Sequence, residues 1–238
     1  MTRRRWIADE FTADTAALTG AHAAHLARTL RARIGQQFDV ACGERVYRAT
    51  ISSVAEDRVE FALGDEVVAL AQSVPITLLL AIFKFDRTEW AIEKCTELNV
   101  SNIVPVIARR TEKHLAQAAT KRVERWRRIA HEAAQQSRRV APPEISEPLK
   151  LTDALQSQTG LRVVLAENVR GATLTDILRA QEDAGSLALA IGPEGGWAEE
   201  ELDAFEGAGW VAASLGETIL RAETAAIAAL AIAWAELA

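Results

Sequence analysis

The sequence predicts an α/β protein in which a parallel sheet is covered by helices on both faces and preceded by a small β-rich domain. Three observations carry this expectation. Beyond residue 73, apolar runs bounded by turn residues alternate with segments of helical period, and strands joined through helices lie parallel. Before about residue 70 the strands are short and follow one another through turns, as in a small barrel or sandwich. Between the two, Ala71-Gln72-Ser73-Val74-Pro75 interrupts both patterns and divides the chain into 1–72 and 73–238.

In the first domain a helix is expected over 22–33, where His25, Leu26, Thr29, Leu30 and Arg33 recur at helical spacing. Strands are expected over 38–40, 45–52 and 58–63, the last two rich in Val, Phe and Tyr. The second domain opens with strand 76–83, helix 87–98, strand 103–107 and helix 120–136. It continues with helix 152–158, strand 162–166, helix 173–180, strand 187–191, helix 198–206, strand 211–215 and helix 223–235.

Composition removes several classes. After Arg3-Arg4-Arg5 only Trp6-Ile7-Ala8 is apolar, too short for the core of a secretory signal, so a cytoplasmic location is expected. The apolar run 225–235 falls well short of the roughly 20 residues that span a bilayer, so no membrane association is expected. Cys42 and Cys95 stand far apart, which fits neither a CxxC motif nor a disulfide framework.

The net charge of −6 is unevenly spread. Residues 73–150 hold fourteen Lys and Arg against nine Asp and Glu, whereas residues 151–238 hold four against fourteen. The cationic stretch is densest from Arg109 to Arg139, enough to neutralise several phosphates; a solvated helix face explains the charge alone equally well.

In an open α/β sheet, ligands bind where loops leave the carboxyl ends of the strands. Strand 187–191 runs into Gly192-Pro193-Glu194-Gly195-Gly196, a loop of little side-chain bulk whose backbone a ligand can approach closely. Its structural alternative is a tight turn into the following acidic helix. It is neither GxGxxG nor GxxxxGK[ST], which disfavours dinucleotide and triphosphate sites. Strand 211–215 leads into Ser214-Leu215-Gly216-Glu217-Thr218-Ile219-Leu220-Arg221-Ala222-Glu223-Thr224-Ala225. There Arg221 and Glu223 lie between apolar elements, where each needs a partner or a ligand. A third loop is Leu165-Ala166-Glu167-Asn168.

With these residues in view, the sequence resembles the SPOUT class of knotted methyltransferases. Within that class IGPEGG (191–196) with SLGxxILRxETA (214–225) resembles the bacterial family that methylates N3 of a uridine, U1498, in 16S ribosomal RNA. The resemblance extends to Lys84–Asp86, Glu89, the KCTEL run from Lys94, the ERW and QSRR segments at 124–126 and 136–139, and the elements RRRW and HLARTLR near the N-terminus. Asn99 departs from the family's usual glycine, although Asn tolerates the left-handed conformation a helix end requires.

The resemblance implies a trefoil-knotted methyltransferase domain at 73–238 behind a PUA-like RNA-binding barrel at 1–72, acting as a homodimer on 16S ribosomal RNA or the assembled small subunit. It implies S-adenosyl-L-methionine as cofactor and no metal. The cofactor residues it implies are Leu165, Ala166, Glu167, Ile191, Gly192, Pro193, Glu194, Gly195, Gly196, Ser214, Leu215, Gly216, Ile219 and Leu220. Arg221 is the candidate for stabilising charge on the uracil, and Glu223 for removing the proton, although capping or pairing with Arg221 explains Glu223 equally well. Arg3, Arg4, Arg5, Arg28, Arg31, Lys84, Lys94, Arg110, Arg125, Arg128 and Arg139 are the candidate RNA contacts.

Two other classes stay open on sequence alone. A non-catalytic RNA-binding or ribosome-assembly protein could keep this architecture, as could, within the methyltransferase class, an enzyme acting on another ribosomal RNA nucleotide. A metabolic enzyme with a phosphate-bearing substrate is opposed by the absence of both nucleotide fingerprints.

Overall fold

The computed structural model describes residues 4–67, 74–169, 171–181 and 185–237. The expected boundary at 72/73 and the candidate RNA contact Arg3 lie outside them. The chain forms two compact units, residues 1–71 with 134–142, and residues 72–133 with 143–238. The first unit thus includes a nine-residue segment that the sequence pattern leaves in the second domain.

In the first unit six strands form one sheet: β1 (Trp6–Ile7), β2 (Glu10–Phe11), β3 (Thr15–Thr19), β4 (Gln37–Cys42), β5 (Arg45–Val54) and β6 (Arg58–Val67). Their order is β1-β4-β5-β6-β3-β2, and all pairs are antiparallel except β1 with β4. Strand β3 carries no sequence signal in TAALT, yet Ala16 and Leu18 are buried with Val59 and Phe61 of the partner strand. Here tertiary packing overrides the weak propensity of alanine for strands. The helix expected at 22–33 is shorter and irregular. A helical turn α1 (Gly20–Ala24) passes into a π-turn at His25–Thr29, and Arg31 follows with φ 52°.

The second unit begins with β7 (Ile76–Ala81), α2 (Phe85–Glu97), β8 (Asn102–Ile107), α3 (Lys113–Ala118) and α4 (Val123–Gln136). The short β9 (Glu144–Ile145) and β10 (Leu149–Lys150) follow, then α5 (Leu151–Gln156), β11 (Leu161–Leu165), α6 (Leu174–Arg179), β12 (Leu187–Ile191), α7 (Glu199–Gly207), β13 (Val211–Ala213) and α8 (Ala222–Leu237). The last residues of α4 belong to the first unit. All strand pairs in this sheet are parallel, in the order β10-β8-β7-β12-β11-β13 with β9 beside β8.

Every residue of β12 is buried, as a strand covered on both faces requires. Side chains alternate between two cores. Leu78, Leu80, Leu187, Leu189 and Ile191 pack with α2 and α8 residues such as Ile92, Ala226 and Leu230. Leu79, Ala81, Ala188 and Ala190 pack with Leu155, Trp197, Phe205 and Trp210 on the other face. Each fully buried Leu or Ile contributes about 1.5–3 kcal/mol, so these two layers fix which strand ends stand side by side. The strand order brings the carboxyl ends of β7, β12, β11 and β13 next to one another, although the chain visits them far apart.

Candidate active site

The loops leaving β11, β12 and β13 surround a cavity of about 660 Å³, within the range of small-molecule sites. Its wall is made by residues 165–168, 191–194, 196–197 and 214–222, together with Arg87, Arg110, Glu199, Leu202 and Ala225. Thirteen of the fourteen expected cofactor residues therefore share one surface, the exception being Gly195.

Each loop has a local cause. After β12 the chain turns at Pro193, whose carbonyl accepts from the Gly196 N–H at 2.8 Å, and Gly196 takes φ 69°, a conformation that favours glycine. The strained position is thus Gly196 and not Gly195. The Gly195 carbonyl accepts from Arg110 Nη1 at 2.5 Å, and a side chain at Gly195 would meet only the flexible Arg110. Glu201, 8% exposed, accepts from the Ala198 N–H at 2.9 Å and the Arg109 N–H at 2.7 Å. It thereby ties the loop after β8 to the start of α7. The loop after β13 is anchored where Ser214 exchanges backbone hydrogen bonds with Ala172 and Leu174, both about 3 Å long. The Arg221 carbonyl then accepts from the Ala225 N–H at 2.8 Å as α8 begins.

Arg221 and Glu223 do not pair with each other. Arg221 is exposed on the cavity wall. Glu223, 4% exposed, lies behind the wall and faces Arg87, with Arg87 Nε 3.8 Å from its Oε1. The geometry therefore opposes proton removal by Glu223, because a base has to reach the proton it takes. Arg87 also donates to Glu194 Oε1 at 2.6 Å. The sequence pattern missed Arg87 because its partners lie over 100 residues away; only the adjacency of β7 and β12 juxtaposes them.

The candidate RNA contacts divide by what already holds them. In the second unit Lys84 and Arg128 are exposed, and Arg110 lines the cavity. Arg125 is gripped by both carboxylate oxygens of Glu89, at 2.7 and 2.8 Å, and Arg122 lies over the Phe85 ring at 4.7 Å. Lys94 is bound by Glu93 and Glu97, hydrogen bonds that raise its pKa. In the first unit Arg4 lies 5.8 Å from the Trp6 ring centroid, Arg28 pairs with Glu56, Arg31 is exposed and Arg5 donates to the Arg138 carbonyl. Burial lowers the pKa of Arg5 and pushes that of Arg139 down to about 10.

The cavity suits a ligand that is part apolar and part charged. Leu165, Ile191, Leu215 and Leu220 offer apolar surface for a flat ring, loop backbone offers hydrogen bonds, and Glu167, Glu199 and Glu217 offer carboxylates for a cation.

Comparison with known proteins agrees with this chemistry. Residues 71–234 match the family described as RNA methyltransferase domain. The ribosomal RNA small subunit methyltransferase E of Synechocystis sp. is 33% identical over 91% of this chain and 72% of its own. The protein of the same name from Bacillus subtilis is 31% identical over 92% and 89%. A crystal structure of ribosomal RNA small subunit methyltransferase E from Neisseria gonorrhoeae bound to S-adenosyl methionine superposes with a TM-score of 0.86. It is 30% identical and covers 96% of this chain and 95% of that one.

Proposed function

Since this chain belongs to the RNA methyltransferase family, with relatives named as small-subunit ribosomal RNA methyltransferases, we infer that it methylates N3 of a single uridine, U1498, in 16S ribosomal RNA. It is an S-adenosylmethionine-dependent ribosomal RNA methyltransferase. The observation that carries the reading is the convergence of the three expected loops on one cavity with an exposed arginine at its rim. When bound, S-adenosylmethionine supplies an electrophilic methyl group on a sulfonium. Residues 165–167, 191–196 and 214–220 would hold it, through apolar side chains for the adenine and carboxylates for the cationic end.

The protein's own part is to position and to stabilise charge. Holding the uracil in line with the donor replaces an encounter by a fixed geometry. As the N3 proton leaves, negative charge spreads to the uracil oxygens, and the Arg221 guanidinium, held by no carboxylate among the described residues, is the group to meet it. Arg87 and Arg110 line the same cavity but are already engaged by Glu194 and the Gly195 carbonyl. Lys84 and Arg128 are the most available phosphate contacts of the methyltransferase unit, and Arg31 that of the first unit, which acts as the PUA-like RNA grip, whereas Arg5, Arg28 and Arg139 are already held or partly buried. The C-terminal trefoil knot and the homodimer belong to the same reading. A second copy would cover the exposed Trp90 of α2 and Trp234 of α8.

Mass spectrometry of ribosomal RNA nucleosides from cells with and without the protein tests the assignment. N3-methyluridine is expected to disappear from 16S RNA on deletion. Its persistence, with no second enzyme acting at the site, would sink the reading.

A further inference from the structure

We propose that Arg87 is a positioning residue for the methyl donor: its guanidinium, held between Glu194 of the 192–196 loop and Glu223 of α8, fixes that loop to two helices at once. The inference rests on the reading of the cavity as the donor site. The loop is made of three glycines, one proline and Glu194, so Glu194 is its only side chain able to form an ionic tether. Such a segment has much backbone freedom to lose, and a tether made before binding reduces what the ligand must order.

The geometry supplies that tether from the first turn of α2. Arg87 Nη1 donates to Glu194 Oε1 at 2.6 Å, and Arg87 Nε lies 3.8 Å from Glu223 Oε1. The Glu223 side chain is 6% exposed, and its Oε2 has no hydrogen-bond partner among the described residues. A buried carboxylate facing one guanidinium holds that guanidinium in place, because separating them would leave a charge buried alone. The planar fork of arginine can address two carboxylates in a way the point charge of lysine cannot. Arg110 grips the other side of the loop through the Gly195 carbonyl, so the loop is held once by its side chain and once by its backbone.

Calorimetry with S-adenosylmethionine, read beside melting temperature and RNA affinity, tests this on the full chain. Arg87→Ala/Glu223→Gln removes the tether without stranding a buried charge, and is expected to melt near the wild type yet bind the donor about tenfold more weakly. RNA affinity should stay unchanged. Glu194→Ala, on the exposed side of the pair, is expected to give the same loss, and the triple variant no further loss, as two partners of one interaction require. Wild-type donor affinity in the stable double variant would reduce Arg87 to a neutraliser of Glu223 and overturn the proposal. Additive losses in the triple variant would overturn it too. Failure of the wild type itself to bind S-adenosylmethionine would instead bring down the donor-site reading.

Discussion

At Arg221 and Gly196, function and backbone geometry make separable demands. Arg221 is exposed at the cavity rim and forms no ion pair with a carboxylate among the described residues, so its charge is available to a substrate. Arg221→Ala is therefore expected to lower the single-turnover methylation rate by about a hundredfold or more, with donor and RNA affinities little changed, because the lost interaction forms mainly in the transition state. Rapid-quench methylation beside equilibrium binding checks this; a loss confined to affinity would reassign Arg221 to binding. Gly196→Val places a β-branched residue at φ 69°, which should nearly abolish donor binding, whereas Gly195→Ala meets only the movable Arg110 side chain and should cost far less. Calorimetry on both variants separates the two glycines. Asn99 illustrates what one position can reveal: the sequence suggested a tolerated left-handed helix end, and its φ is 63°.

Among the elements, those with a strong period were legible and those made by tertiary contact were not. Strand β12 begins and ends at the expected residues, and helices α5 to α8 fall within two residues of expectation, because their apolar periods match the faces they bury. The pairs β9 and β10, two residues each, exist only because β8 offers them an edge, which no local pattern announces. The fourteen-residue α4 was legible as a helix, but the state of its charges was not. Arg128 is exposed while Arg125 is already neutralised by Glu89. Arg128→Ala is accordingly expected to flatten the log–log salt dependence of RNA affinity by about one unit of slope, and Arg125→Ala by distinctly less. A salt titration of both variants reads the difference directly. On α8, Trp234 is 50% exposed on a helix apolar on nearly every side. Trp234→Glu is expected to shift the sedimenting species towards monomer if a second copy covers it, and an unchanged mass at micromolar concentration would remove α8 from the interface.

For the molecule as a whole, the cavity could be anticipated from its three loops, but not from the strand order that joins them. Its assembly depends on β12 entering between β7 and β11, an order set by packing on both faces of the sheet. Stability carries a signature of core burial in each unit. Burial pushes the Cys42 thiol up to about 11 from an ordinary 9, and raises that of Cys95 as well. Between pH 9 and 11 the unfolded chain has lost the Cys42 proton that the folded chain keeps, so the native state binds more protons and stability falls as pH rises. Denaturant midpoints measured across that window should decline, and Cys42→Ala should flatten the decline; an equal slope in the variant would assign it to other groups. The divided first unit, residues 1–71 with 134–142, has a consequence for how the protein is made. The Arg5 N–H donates to the Gln135 carbonyl at 3.1 Å, and the Arg5 side chain reaches the carbonyl of Arg138. During synthesis the N-terminal unit, although its sheet ends at Val67, therefore has to wait, unfinished, until some sixty residues of the other unit have left the ribosomal exit tunnel. Its completion is a late event in translation although its strands are the first to be made.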